Sequence, residues 1–75
     1  MRTYTIVLDP DPDEGGYTVT VPALPGCITQ GETVEQCHDR AADAIAAHID
    51  GLRRDGQPVP DEREHPQLLT VSVAG

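Results

Sequence analysis

Residues whose types and spacing could do chemistry are few. First in chain order are Asp9, Asp11 and Asp13, which repeat the D-x-D-x-D opening of a calcium loop. Such a loop needs glycine at its sixth position for a sharp turn and a bidentate glutamate at its twelfth. Glu14 and Thr20 stand there instead, and Pro10 and Pro12 stiffen the positions between the aspartates. The same rigidity opposes an inward-facing magnesium cluster for nucleic-acid hydrolysis. A structural zinc site needs four ligands at defined spacing, and Cys27, Cys37, His38, His48 and His65 match no such pattern. Cys37 and His48 share a helical face, but their eleven-residue separation is about 16 Å along the axis, too far to share one ion. A helix dipole could favour the Cys37 thiolate, yet nothing completes a triad around it. Asp39 and Asp43 could pair as acid and base, and their spacing is equally that of a solvated helix face. Gly15-Gly16 leads into a strand rather than a helix, so it forms no phosphate loop. No catalytic residue, metal or cofactor is expected, and the chain is read as a binding protein rather than an enzyme.

The elements that would position these residues follow from periodicity. Thr3 to Asp9 alternates with period two, placing Tyr4, Ile6 and Leu8 on one face. Two prolines and two glycines within Asp9 to Gly16 break the run into a hairpin loop. Tyr17 to Val21 resumes it, with Tyr17, Val19 and Val21 on one face, and Pro22 closes it. Ala23 to Gly26 reads as a turn and Cys27 to Gln30 as a short third strand. Thr33 is a good N-cap, and Gln36 sits at capping-box spacing. Beyond it Val34, Cys37, Ala41, Ala44, Ile45, His48, Ile49 and Leu52 form an apolar stripe, until Gly56 ends the helix. Gln57 to Pro60 must be extended, Asp61 to Pro66 is a polar link, and Leu68 to Val73 reads as a last strand with Leu69, Val71 and Val73 on one face. The predicted fold is α+β, in the order β-β-β-α-β: a three-stranded antiparallel sheet, one helix packed on one side, and a final strand.

Composition sets the stakes for stability and partners. The 75 residues make one domain, 1–75, whose core must be thin: Leu, Ile and Val together number 16, with no Phe and no Trp. In this size range a single core rarely contributes more than about 3 to 5 kcal/mol, so disulfide, metal or oligomerisation normally supplements it. Two buried, reduced thiols are expected rather than a disulfide, because no signal-peptide pattern opens the chain and the cytoplasm is the default compartment. Oligomerisation, as a dimer or tetramer, is the support that remains. No apolar stretch approaches the roughly 20 residues of a membrane span. Five arginines against 13 acidic residues leave a net charge of -8. This argues against direct binding of nucleic acid and for a basic protein partner.

The run from Tyr17 to Val21, then Pro22-Ala23-Leu24-Pro25-Gly26-Cys27, then Thr29-Gln30-Gly31-Glu32-Thr33, resembles the signature of the HicB family of antitoxins. Ala44-Ile45 and Gly56 to Pro60 also sit where that family has its Ala-Ile helix segment and its Gly-x-x-x-Pro exit. The resemblance covers residues 4 to 73. It implies a partial RNase H-like fold and a domain that neutralises a small basic HicA-like mRNA-cleaving toxin by covering its active site and RNA-binding surface. An alternative is an orphan HicB-like oligomeric or regulatory module without a toxin. Many members carry a C-terminal DNA-binding module. The chain ends two residues after the expected last strand, so operator binding through this chain is not expected. Gly16, Tyr17, Pro22, Pro25, Gly26, Cys27, Gly31 and Thr33 are read as structural, the glycines for backbone geometry, the prolines for the turn and Thr33 for capping. Partner contacts are expected at the acidic hairpin tip, Asp11, Asp13 and Glu14, and on the helix face, Asp39 and Asp43.

Overall fold

The computed structural model describes residues 1–75. Three strands, β1 (Val7–Pro10), β2 (Tyr17–Thr20) and β3 (Ile28–Gly31), form one antiparallel sheet in the order β1-β2-β3, followed by the helix α1 (Val34–Arg54). Leu8 pairs with Val19, and Val19 with Thr29. The alternation of both apolar strands therefore coincides on one face, and α1 packs there. Val19, Cys37 and Ala41 meet beneath the helix N-terminal half, flanked by Ile6, Leu8 and Tyr17. Val21, Leu24 and Cys27 form a second cluster, with Tyr4, Ile6, Ala44 and Ile45 against it. These six apolar residues are the whole buried core. Both cysteines are free and buried, one in each cluster.

Local chemistry explains the helix boundaries. The Gln36 N–H donates to Thr33 Oγ1 at 3.1 Å, while Gln36 Oε1 reaches back to accept from the Glu32 N–H at 2.6 Å, one residue before the usual capping-box donor. At the other end the Gln57 N–H donates to the Leu52 carbonyl at 2.9 Å and the Gly56 N–H to Arg53 at 3.1 Å, a Schellman closure with Gly56 at φ 69°. Asp50 and Arg54 pair at 2.8 Å on the exposed last turn. Thr33→Ala should cost about 1 kcal/mol in urea denaturation and Thr33→Ser much less, because serine keeps the accepting oxygen. Equal losses for both would assign the effect to something other than the cap.

Two parts of the chain differ from the periodicity reading. Sheet pairing starts at Val7 rather than Thr3, so Thr3 to Ile6 is outside the ladder. Leu68 to Val73 joins no sheet, and Leu68, Leu69, Val71 and Val73 are between 78% and 85% exposed. The alternation is real, but a strand exists only when another strand completes its hydrogen bonds, and no strand within the chain does so. The link before this tail is tied down instead. The Thr5 N–H donates to Glu62 Oε1 at 2.6 Å, the Thr5 hydroxyl donates to Oε2 at 2.7 Å, and the Tyr4 hydroxyl donates to the Pro60 carbonyl at 2.5 Å. Arg2 pairs with Asp61, and His65 lies against Glu62, whose side chain is almost completely covered.

The Thr5 amide, then the Thr5 hydroxyl and His65, hold the Glu62 carboxyl below the usual glutamate range. A carboxylate with a depressed native pKa stabilises the fold above its ordinary unfolded value, and that contribution is lost as pH falls through the lower folded value. Thermal melts between neutral pH and pH 3 should therefore show a loss of stability at the acid end that is smaller in Glu62→Gln. An unchanged acid limb in that variant would contradict a stabilising role for the Thr5–Glu62 contact.

Candidate functional site

The hairpin between β1 and β2 is built by its own acids. Asp11 Oδ1 accepts from the Asp13 N–H at 2.9 Å and from the Glu14 N–H at 3.1 Å, while the Gly15 N–H donates to the Asp11 carbonyl at 3.0 Å. Asp11 is thus used to close the turn, and Asp13 and Glu14 are left exposed at the tip. Gly16 follows at φ 72°. A Cβ there would stand 2.7 Å from the Gly31 carbonyl oxygen, so only glycine lets the loop pass so close to the end of β3. That crossing brings Asp11 and Glu14 beside Glu32 around a small polar depression of about 150 Å³, with Arg40 the single cation on its wall. Arg40 is turned toward the sheet, its Nη1 donating to the Gln30 carbonyl at 3.2 Å, and it makes no ion pair with these carboxylates.

Asp39 and Asp43 lie elsewhere. Both are exposed and sit one turn apart on α1, while Cys37 and Ala41 carry the buried face. Asp39 pairs with the neighbouring His38 at 3.2 Å. Of the five acidic residues expected to contact a partner, Asp11 and Glu14 line the hairpin depression together with Glu32, Asp13 is exposed at the adjoining tip, and Asp39 and Asp43 lie on the helix outside that lining, giving a hairpin patch and a helix patch. Glu32 was missed in the sequence because its proximity to the hairpin depends on the Gly16–Gly31 crossing.

The chemistry available is that of a charged surface. Nowhere do three or more His, Cys, Asp or Glu side chains converge in a geometry that could hold a metal ion. Cys37, the nucleophile considered above, is fully buried beneath α1. Burial raises the Cys27 thiol above its ordinary value, which opposes thiolate formation. No helix is long and apolar enough to cross a membrane.

The signature residues divide by role. Pro22 and Pro25 flank Leu24, whose side chain is fully buried, and the turn is closed by the Leu24 N–H donating to Val21 at 2.9 Å and the Cys27 N–H donating to Leu24 at 3.0 Å. Gly26 takes φ 87° in that turn, and half-buried Tyr17 packs on the Val19 cluster. Gly31 does not have a positive φ; it is required for space against Cys37.

Residues 4–71 match the family model for the HicB-like antitoxin of bacterial toxin-antitoxin systems. The chain belongs to the HicB-like antitoxin family. It is 40% identical over 68 residues to a UPF0150 protein of Thermoplasma acidophilum, covering 91% of this chain and 94% of that one. A UPF0150 protein of Synechocystis is 41% identical over 70 residues, covering 93% and 87%. Antitoxin HicB of Escherichia coli K12 is 39% identical over 76 residues, covering 95% of this chain but 54% of the relative. For this HicB-like chain the match runs through both acidic patches and through the structural turn, and it extends into the exposed C-terminal segment as far as Val71.

Proposed function

We propose that this HicB-like protein neutralises a small basic HicA-like mRNA-cleaving toxin by covering its active site and RNA-binding surface, that it acts by binding rather than catalysis, and that it works as a homo-oligomer. The observation that carries the binding reading is the charge left free on the surface. Asp13, Glu14, Glu32 and Asp43 are exposed and unpaired, and the hairpin patch has no arginine engaged with it. A cationic groove shaped for RNA phosphates would meet carboxylates there in the same role. Glu14 and Glu32 would enter such a groove together, because both line the depression at the hairpin crossing. Encounter between opposite charges is fast at low salt and slows as salt screens it.

Co-expression with the product of an adjacent gene, if that product is small and basic, tests the assignment: rescue of growth is expected. Persistent toxicity in the presence of the folded protein would overturn the antitoxin reading. Binding to the same product should weaken about tenfold or more between low and high salt. The double reversal Asp13→Lys and Glu14→Lys should weaken it further at low salt while leaving the melting curve near that of the parent. Affinity indifferent to ionic strength would show that apolar contacts, not the carboxylates, hold the partner.

A further inference from the structure

The chain exposes more surface than its mass warrants. Its accessible area is 5967 Å², where a folded monomer of 8.0 kDa has about 4,450 Å². Its radius of gyration is 14.4 Å against about 11 Å for a compact chain of this length, and its longest extent is 50 Å. The excess has two sources. One is the tail, where Leu69, Val71 and Val73, at positions that share one side of a strand, are all strongly exposed. The other is an open groove of about 730 Å³ between the segment Met1 to Ile6 and the flank of α1, with Tyr4, Ile6, Ala42, Ile45, Ala46 and Ile49 on its walls.

Tail and groove fit one another in length, polarity and backbone chemistry. The groove follows α1 from His38 to Arg53, about 22 Å at helical rise, and the six residues Leu68 to Val73 span about 20 Å as a strand. Met1 to Ile6 belongs to no ladder, so apart from the Thr5 amide, which Glu62 occupies, its backbone is open to an incoming strand. The chain's own tail is directed elsewhere. Pro60 to Glu62 is fastened at Arg2 to Thr5, and Asp61 to Pro66 then borders a separate depression with Pro22 and Ala23 instead of entering the groove.

We propose that the C-terminal segment Leu68 to Val73 is exchanged between two copies of this chain, each copy seating Leu69, Val71 and Val73 in the groove between Met1–Ile6 and α1 of the other. The inference rests on the homo-oligomeric part of the function proposed above and supplies its contact surface. Exchange is reciprocal, so it closes as a dimer with the same patch used twice. If it removed the excess of about 1,500 Å² from each copy, the interface would total about 3,000 Å², within the range of obligate homodimers.

Light scattering on the full chain at micromolar concentration should give twice the 8.0 kDa chain mass. Val71→Asp should weaken self-association by about a hundredfold, because an aspartate would have to be buried in an apolar groove. Disulfide trapping covers the case in which the variant does not fold. Ala46→Cys on one copy and Val71→Cys, or Leu69→Cys, on another should oxidise to a covalent heterodimer, and both substitutions placed in one chain should still link chain to chain. A monomeric parent chain would overturn the exchange and the homo-oligomeric reading together. A disulfide closing within one chain, or a dimer that yields no cross-link at either tail position, would overturn the exchange alone. Failure to bind any toxin with the cross-link intact would remove the antitoxin reading and leave the exchange standing.

Discussion

Gly31→Ala is expected to lower stability by about 3 kcal/mol, which for a chain of this size means a melting temperature lower by about 15 °C and a large unfolded fraction at 37 °C. The reason is contact, not conformation. A Cβ on Gly31 would lie 2.8 Å from Cys37 Sγ, 3.0 Å from the Cys37 backbone nitrogen and 3.1 Å from its Cα. The first contact could be relieved by trimming the side chain, but the other two are with the first turn of α1 and persist unless the helix moves off the sheet. That movement would open the cluster of Val19, Cys37 and Ala41. Adding Cys37→Ala to Gly31→Ala should therefore recover only a minor part of the loss. Urea denaturation of the parent, both single variants and the double variant measures this directly. Full recovery in the double variant would show that the thiol alone sets the constraint.

The second large effect is expected at Leu24. Its side chain is fully buried between Val21 and Cys27, with Tyr4, Ile6, Ala44 and Ile45 around it, and it is the largest of the fully buried side chains. Leu24→Ala should cost about 3 kcal/mol, within the usual span for a buried leucine, since the turn that carries it is held by backbone hydrogen bonds and cannot collapse freely into the void. With a total stability of about 3 to 5 kcal/mol for such a core, either substitution takes the chain close to its midpoint. Leu24→Met should cost less than about 1.5 kcal/mol, because it keeps the volume. A loss of under 1 kcal/mol for Leu24→Ala would mean that the second cluster is not part of the cooperative core. An intact dimer adds its own binding free energy, so the measurements are compared at one protein concentration.

Much of the fold was legible where the signal is local. The alternation of Tyr4, Ile6 and Leu8 and of Tyr17, Val19 and Val21 identified the faces that α1 covers, because strand geometry sends successive side chains to opposite sides. Thr33 and Gln36 marked the helix start through hydrogen bonds that span three or four residues. Asp11, Asp13 and Glu14 were readable as a hairpin tip, since prolines and glycines bracket them. The period-two pattern of Leu68 to Val73 was equally clear and yet placed no strand in the sheet, because the pattern states which faces the side chains take and not which chain supplies the ladder partner.

What the sequence alone determined is therefore the inventory: an acidic, aromatic-poor chain with a three-stranded sheet and one capped amphipathic helix, small in core for its length, together with a period-two apolar run at Leu68 to Val73 that reads as a further strand and joins no sheet in the structure. Tertiary structure alone decided three matters. It placed Glu32 on the same depression as Asp11 and Glu14, since the Gly16–Gly31 crossing is set by how two loops meet. It turned Glu62 from a linker residue into the latch on Thr5, an encounter of residues 57 positions apart. It also left the flank of α1 open beside Met1 to Ile6 while sending the tail away from it. Each depends on distances between residues far apart in the chain, which periodicity and capping, being properties of neighbours, do not encode.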